Sequence, residues 1–519
     1  MAKPRFLIAF TLLFFALTAL FISCFSPWAG DEAIISLNFS EMAESRSILY
    51  QSEFNEIEHT VALRGPNGPL PLITIPKGQS SFRISVDRGR WEITVEASQQ
   101  GGTLFAQGSA VAEIRPGLNR VRILMDTLLY IRVSSRDDLM KIGHPAWPDW
   151  PLNGNYRMGG NIDIGGINWK PIGEGTPFVG TFDGRGYTIS GLTITNWGAN
   201  SGLFGVVGTS GSSGGLVRNV RLTGVSIVDT STANNHGGIA GTNNGTIEYC
   251  SVYGTADGGG ITANNTLGGL VGLNTSTGII RNSYANIQIY STATVDAHVG
   301  GLVGHSNGGN ISESYASGNV SGEGNNIGGL VGHSNGGFLI DCYATGNVEG
   351  LGNVGGLVGR NASTTVNGYA RGNVSGNTTA GGVVGAHASG GVTGFAALNQ
   401  IVEAAALGTN AGRVIGNNTG GGGTQSNNYA LETMNITINN ATKGTIIVGS
   451  ESNDGDHFSL PGAPPNSLPN DAAQWNLIFH VPLLNTEWDF TNTWIWNSAL
   501  GRPVLRNVGP GANRAPIPH

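Results

Sequence analysis

Between Gly237 and Gly416 the chain alternates short apolar runs with Gly/Asn/Ser corners, and one run keeps returning. It reads Gly237-Gly-Ile-Ala-Gly241, then Gly268-Gly-Leu-Val-Gly272, Gly300-Gly-Leu-Val-Gly304, Gly328-Gly-Leu-Val-Gly332 and Gly355-Gly-Leu-Val-Gly359. It continues as Gly381-Gly-Val-Val-Gly385 and ends worn, as Gly412-Arg-Val-Ile-Gly416. Spacings of about 26 to 32 residues mark stacked repeat architectures. A second landmark follows in each copy, Tyr284-Ala285, Tyr315-Ala316, Tyr343-Ala344, Tyr369-Ala370 and Phe395-Ala396. A third is Gly318-Asn-Val320, Gly346-Asn-Val348 and Gly372-Asn-Val374. The pattern predicts three short strands per repeat, since no window holds the ten or so periodic residues a helix requires. Each strand is expected to pair with its equivalent one coil on, about 4.8 Å away. The inward Leu, Val and Ile then stack into a core that no single coil could bury alone. Parallel crossovers of this kind are right-handed. Glycine at Asn244-Gly245, Asn307-Gly308 and Asn335-Gly336 is expected to supply positive φ at corners.

Residues 31–126 follow a different rule. Phe82–Val86, Trp91–Val95 and Val121–Leu124 alternate apolar and polar positions with period two, separated by corners such as Pro66-Asn-Gly68 and Arg115-Pro-Gly117. That pattern predicts a small antiparallel β-sandwich. Ser135 then reads as the N-cap of a short helix, 136–142, with Asp137 and Asp138 in its first turn. Such a helix would cover the open end of the solenoid, where an unpaired strand edge recruits other chains. From Tyr156 the β pattern resumes through Phe178–Gly184 and Tyr187–Ile194, and Gly202-Leu-Phe-Gly205 is an early, degenerate repeat mark. Beyond Gly416 the repeat fades, 451–470 reads as loop, and the end carries Trp475, Trp488, Trp494 and Trp496.

The tandem Gly-Leu-Val-Gly and Tyr-Ala marks over 237–416 resemble the GLUG motif of bacterial surface and secreted proteins. The resemblance extends more loosely to 130–235 and to the end of the chain. It implies a right-handed β-helix, a surface location and an adhesin-like role, and it supplies no catalytic residues. Gly89–Val95 with Ala106-Gln-Gly108 weakly resembles the carbohydrate-binding-like or transthyretin-like sandwiches of cell-surface proteins, with a spacer role favoured over sugar binding.

Composition fits this picture. Glycine, 83 of 519 residues, is roughly twice as frequent as usual without a collagen period. Charged residues are only 12%, which argues against extended charged disorder. A net charge of −7 argues against a nucleic-acid surface. At the N-terminus, Lys3 and Arg5 precede an apolar run from Phe6 to Ile22 and the sequence Phe21-Ile-Ser-Cys24. A cationic start, a greasy core and a small residue before the cut are the requirements of an export signal. Cys24 after Ser23 resembles a bacterial lipobox, which implies lipidation of Cys24; an uncleaved anchor and an ordinary secretory signal are the alternatives. Phe25 after the cysteine, by resemblance to Gram-negative lipoproteins, favours the outer membrane. Cys250 and Cys342 fall at equivalent repeat positions three coils apart, about 14 Å, beyond the ~7 Å reach of a disulfide. They are expected to be small buried thiols.

Several constellations invite a chemical reading. Gly304-His-Ser-Asn-Gly308 and Gly332-His-Ser-Asn-Gly336 both match a serine-nucleophile signature, but that serine needs a strand-to-helix elbow and here leads into more β structure. His305 lies one coil from His333, with Arg360 at the next equivalent position. With no carboxylate at repeat spacing and three or four ligands needed by zinc, an exposed corner ladder is expected and no metal ligand is assigned. None of the ten histidines forms a His-Glu-x-x-His. The repeats hold scattered acids (Glu248, Asp257, Asp296, Glu313, Glu323, Asp341, Glu349, Glu403) and no lysine, a poor basis for the paired carboxylates of glycan cleavage. Asp163 and Asp183 are expected to stabilise corners. Trp488, Trp494 and Trp496 either cap the last coil or stack sugar rings.

The expected protein is all-β: an N-terminal β-sandwich followed by a right-handed parallel β-helix. Its parts are a lipoprotein signal peptide (1–23), a linker after lipidated Cys24 (24–30), the sandwich (31–126), an N-terminal cap with the first coils (130–235), the GLUG-repeat β-helix (236–426), a last coil with an aromatic cap (427–506) and a disordered tail (507–519). Gly269, Gly301, Gly329, Gly356 and Gly382 define the repeat structurally. The expected function is non-catalytic surface display or adhesion by an outer-membrane, lipid-anchored monomer with no cofactor and no nucleic-acid partner, binding glycans or host and envelope proteins. The alternatives are a β-helical polysaccharide lyase or glycoside hydrolase and a passive structural component of the envelope.

Overall fold

The computed structural model describes residues 33–38, 57–98 except 80, 104–123 except 122, 126–127, and 130–442 with short gaps at 198–199, 213, 231–234, 294–296, 406–409, 420–422, 432 and 440. It also describes 456–457 and 488–508 except 501. The segment 1–23 expected to be a signal peptide, Cys24 and the residues beyond 508 lie outside the described residues. The chain divides into two compact units that meet between Tyr130 and Ile131.

The first unit holds two sheets. Glu58–Gly65 pairs antiparallel with Gly89–Ser98, which pairs antiparallel with Leu104–Ile114. A smaller sheet places Ala33–Asn38 between Ser81–Val86 and Gly117–Arg120. Period-two alternation has its expected consequence: in Gly89–Ser98, Trp91, Ile93, Val95 and Ala97 are buried and the residues between them are exposed. Trp91, Ile93 and Val95 meet Ile35 and Leu37 of the smaller sheet in one core, as two facing sheets require, while Ala97 packs with Ile57 and Ala106. The pairing of Ala33–Asn38 with Gly117–Arg120 is parallel, a departure from the all-antiparallel expectation.

The second unit is a parallel solenoid. Val303–Asn307 pairs in register with Val331–Ala344, so His305 faces His333 and Ser306 faces Ser334; that strand in turn pairs with Val358–Ala370. Tyr284, Tyr315, Tyr343 and Tyr369 likewise occupy one row. In two coils the middle runs join into the single strands Val331–Ala344 and Val358–Ala370, whereas the coil from His298 to Gly322 contains five short runs rather than three. The two that the pattern conceals are three-residue strands such as Asn310–Ser312 and Asn326–Gly328. The second of these belongs to a separate seven-stranded sheet, from Asn235–Gly237 to Asn410–Gly412. Inside the coils a continuous column of Leu, Val and Ile is buried, including Leu270, Leu302, Leu330 and Leu357. Each such side chain contributes roughly 1.5–3 kcal/mol.

The helix forms at Arg136–Lys141 as expected, with the Ser135 side chain accepting from the Asp138 backbone N–H at 3.2 Å. Its Leu139 and the following Ile142 enter the solenoid core beside Val133 and Tyr156. Among the described residues no helix is long and apolar enough to cross a membrane.

Glycine acts here mainly through close approach. A Cβ on Gly301 would sit 2.2 Å from the Gly329 carbonyl oxygen, one on Gly329 2.1 Å from that of Gly356, and one on Gly356 2.1 Å from that of Gly382. Gly269 and Gly382 are equally confined. Positive φ occurs at Gly308 and Gly336, but Gly245 is held by the Gly215 carbonyl, 2.2 Å from its missing Cβ. A further left-handed corner recurs at Asn282, Glu313, Asp341 and Asn367.

A C-terminal hairpin, Trp494–Asn497 with Arg502–Leu505, packs on the side of the coils rather than over the last one. Trp494 and Trp488 lie against Tyr343 and Tyr369, and the indole Nε1 of Trp494 donates to Asp341 Oδ1 at 3.0 Å. Tyr369 Oη donates to the Pro503 carbonyl at 3.0 Å. Burial pushes the Asp341 carboxyl up to about 6, partly offset by the hydrogen bonds from Trp494 and Asn367.

Two outcomes follow from these contacts. Gly329→Ala is expected to destabilise the full chain by about 1–3 kcal/mol or more, read as a lower thermal midpoint. Gly160→Ala, whose Cβ would meet nothing within 4 Å, should leave that midpoint in place; equal effects would contradict close approach. Asp341, with its folded pKa raised, favours the neutral carboxyl in the native state. Its stabilisation is therefore full below pH 3.8 and is lost as pH rises through about 6, a change of roughly 2–3 kcal/mol. Asp341→Asn should remove that part of the pH dependence in melts followed by tryptophan fluorescence, and an unchanged profile would refute the assignment.

Candidate functional site

The recurring glycine-flanked segment turns out to be a re-entrant corner. The strand His298–Gly300 runs into Gly301 and Leu302, and the chain folds back as Val303–Asn307. The outer faces of the two strands then lie against each other, which glycine alone permits. A Cβ on Gly300 would come 2.0 Å from the Val303 carbonyl oxygen, and one on Gly332 2.4 Å from the Val299 nitrogen. Stacked over the coils, these corners form a notch with a glycine floor and two rows of side chains at its mouth. One row is Asn235, Thr266, His298, Asn326, Asn353, Thr379 and Asn410. The other is Thr242, Leu273, His305, His333, Arg360, Ala386 and Asn417. The rows hydrogen-bond across the notch at Asn235 Nδ2–Thr242 Oγ1, 3.1 Å, and along it at Asn353 Nδ2–Asn326 Oδ1, 3.0 Å.

At one level the two rows bring three imidazoles together. His305 and His333 stack with centroids 4.9 Å apart and planes 2° from parallel, as the rung spacing dictates. His298 meets both edge-on from the opposite wall, at 4.8 and 4.9 Å. A ring nitrogen from each residue lies within 4.8 Å of the other two. His333 is buried and the other two are half-buried, so the exposed corner expected for His305 and His333 is in fact a sheltered one. His305 Nε2 and His333 Nδ1 are buried without a hydrogen-bond partner. Burial pushes the His305 imidazole down to about 4 and His333 to about 3, with neighbouring His298 adding to both effects and Arg360 to the second. Both rings are therefore neutral at physiological pH, with nitrogen lone pairs available. His298 was not singled out in the sequence, because its partners lie on another strand row and its own row otherwise holds Asn and Thr. Only the register reveals it.

The other candidates are accounted for by the fold. Ser306 and Ser334 are buried; Ser306 Oγ donates to the Gly309 carbonyl at 3.1 Å and Ser334 Oγ bonds Ser363 Oγ at 2.6 Å. Trp488 and Trp494 are buried in the tyrosine row, and Trp496 packs at its edge. Cys250 and Cys342 are buried thiols, neither of them in a disulfide. Asp163 Oδ1 accepts from the Gly165 backbone N–H at 2.9 Å, the corner role expected of it.

Asp183 does more than hold a corner. It accepts from Arg185 N at 2.9 Å and Asn219 Nδ2 at 3.1 Å, and it lies 3.9 Å from Arg157 Nε and 3.2 Å from Arg218 Nη2. The register continues the row through Arg157, Asp183, Arg218, Glu248 and Arg281. In-register stacking would set like charges about 4.8 Å apart, and alternation of sign turns that repulsion into attraction. Arg281 Nε donates to Glu248 Oε2 at 2.7 Å. Glu313 accepts from Asn282 Nδ2, also at 2.7 Å. A shallow depression of about 400 Å³ beside this row is lined by Thr181, Leu216, Thr246, Glu248 and Arg281.

Comparison with known proteins places these features. The GLUG motif matches residues 263–290 and 296–321. Halomucin of Haloquadratum walsbyi is 29% identical over 213 residues, 38% of this chain and 2% of halomucin. A provisionally named Gly-rich membrane protein of Evansella cellulosilytica is 41% identical over 93 residues, 18% of this chain and 10% of that protein. The chain thus spans a tenth or less of either relative. Among solved structures, a provisionally named immunoglobulin A1 protease from Bacteroides ovatus is 20% identical, covering 72% of this chain and 91% of its own, with a TM-score of 0.38. A second, an IgA1 protease, is 16% identical over 78% of this chain and 28% of its own, with a TM-score of 0.35. The segments 263–290 and 296–321 of this protein match the GLUG motif, and they lie in a parallel β-helix.

Proposed function

We propose that the protein is a non-catalytic binding rod displayed at the bacterial cell surface and tethered to the outer membrane through lipidated Cys24. The observation that carries this reading is the in-register GLUG solenoid, which repeats outward hydrogen-bonding side chains on coil after coil. Such a surface suits an elongated partner that meets the same chemistry at each step, a glycan chain or an extended segment of a host or envelope protein. The names of its relatives, a halomucin and a Gly-rich membrane protein, agree with a surface setting. The acids Glu248, Glu313 and Asp341 are engaged by Arg281, Asn282 and Trp494, which suits structural roles better than acid–base work. Trp488 and Trp494 belong to the packing of the tyrosine row, so glycan contact is assigned to the polar rows instead.

One experiment addresses both parts of the proposal. Cells carrying the full chain are expected to capture members of a glycan and matrix-protein panel. Cells carrying Cys24→Ala should lose that capture by releasing the protein to the medium, while the purified chain still binds. Turnover of a polysaccharide would contradict the non-catalytic reading, and retention of Cys24→Ala on the cell would contradict the lipid tether.

A further inference from the structure

We propose that His298, His305 and His333 form a binding site for one divalent transition-metal ion of the zinc, nickel or cobalt class, bridging the two walls of the notch.

The donor set argues for the class of ion. Three imidazoles, joined by no carboxylate among the described residues, suit borderline metals and not calcium or magnesium, which take oxygen ligands. Three protein nitrogens plus one outside ligand form the open arrangement typical of zinc. The geometry needs little change. Three nitrogens each 4.8 Å apart, the upper limit here, surround a point ~2.8 Å from each, and a metal–nitrogen bond of ~2.0–2.1 Å asks each to close by ~0.7 Å. Rotation about the side-chain torsions covers that distance, and it must also tilt His305 and His333 out of their parallel stack so that their in-plane lone pairs converge.

The surroundings support the assignment. Metal-binding histidines are held through their other ring nitrogen, and His298 Nδ1 lies 3.1 Å from Asn326 Nδ2. With the metal on Nε2, the proton sits on Nδ1 and the Asn326 amide turns to present its oxygen, giving up the bond that oxygen accepts from Asn353 Nδ2. The buried nitrogens His305 Nε2 and His333 Nδ1, which have no hydrogen-bond partner, are costly unless something occupies them, and a metal ion would satisfy one or both. Arg360, one rung beyond His333, adds positive charge that opposes a bare cation. It therefore favours an anion, such as hydroxide, chloride or a carboxylate, as the fourth ligand. Since His298 belongs to one sheet and His305 and His333 to another, the ion would pin the sheets together and raise the stability of the coils by mass action.

The test uses the purified full chain, stripped with a chelator and dialysed. Titration with Co²⁺ should give one equivalent of saturable binding with the intense visible bands of a tetrahedral nitrogen site. Zn²⁺ should displace the cobalt and raise the thermal midpoint. His298→Asn is the decisive variant, because asparagine already occupies that position in four other coils, Asn235, Asn326, Asn353 and Asn410. It should fold as the parent does, with the same metal-free melting curve, and bind at least ten-fold more weakly. His305→Ala should show the same loss, and His144→Ala, at an exposed residue outside the notch, should not. Absence of a saturable cobalt spectrum, or full binding retained in a folded His298→Asn chain, would overturn the proposal.

Discussion

The structure rests on backbone contact between successive coils at positions where no side chain fits. At Gly301, Gly329 and Gly356 the missing Cβ would lie about 2 Å from the carbonyl oxygen of the next coil, so the chain there is packed main chain against main chain. Everything else is slaved to that stacking. It fixes the register, the register aligns like positions, and aligned positions become columns: leucine inside, tyrosine along one flank, and two polar rows at the notch. The cost of a column is that any unfavourable neighbour is repeated on every rung. The chain answers that cost by placing neutral polar residues in most outward rows and by alternating sign from Arg157 to Arg281, with Arg132 beside Arg157 the exception at the head of that row.

The same constraint explains why chemistry arises where it does. A solenoid brings together residues about thirty positions apart in sequence, and a re-entrant corner adds residues from a second sheet. The histidine cluster requires both. His305 and His333 are rung neighbours, while His298 reaches them across the notch because glycines let the walls close. A wider corner, with side chains at Gly300 and Gly304, would keep the stacked pair and lose the third ring.

Much of the architecture was legible in the sequence, because tandem copies of an apolar run admit few arrangements other than stacking. The helix at Arg136 was legible from its cap, and the buried state of Cys250 and Cys342 from their equivalent positions. What was not legible had no local signature. Three-residue strands such as Asn326–Gly328 are too short to show a period. The alternating charge row emerges only when residues in successive coils are aligned. The docking of Trp494 onto Asp341 joins positions 153 residues apart, and nothing in either neighbourhood announces it. His298 was concealed for the same reason: its partners are set by register and by corner geometry together.

The central claim is that equivalent positions in adjacent copies lie side by side in parallel. Nitroxide labels at Asn307→Cys and Asn335→Cys test it directly, since both residues are exposed and paired in register, whereas Cys250 and Cys342 are buried. In-register stacking predicts strong dipolar broadening of the doubly labelled chain, from backbones about 4.8 Å apart. A spectrum equal to the sum of the two singly labelled chains would contradict it, because the labels would then sit on separate blades or on hairpins folded back on themselves.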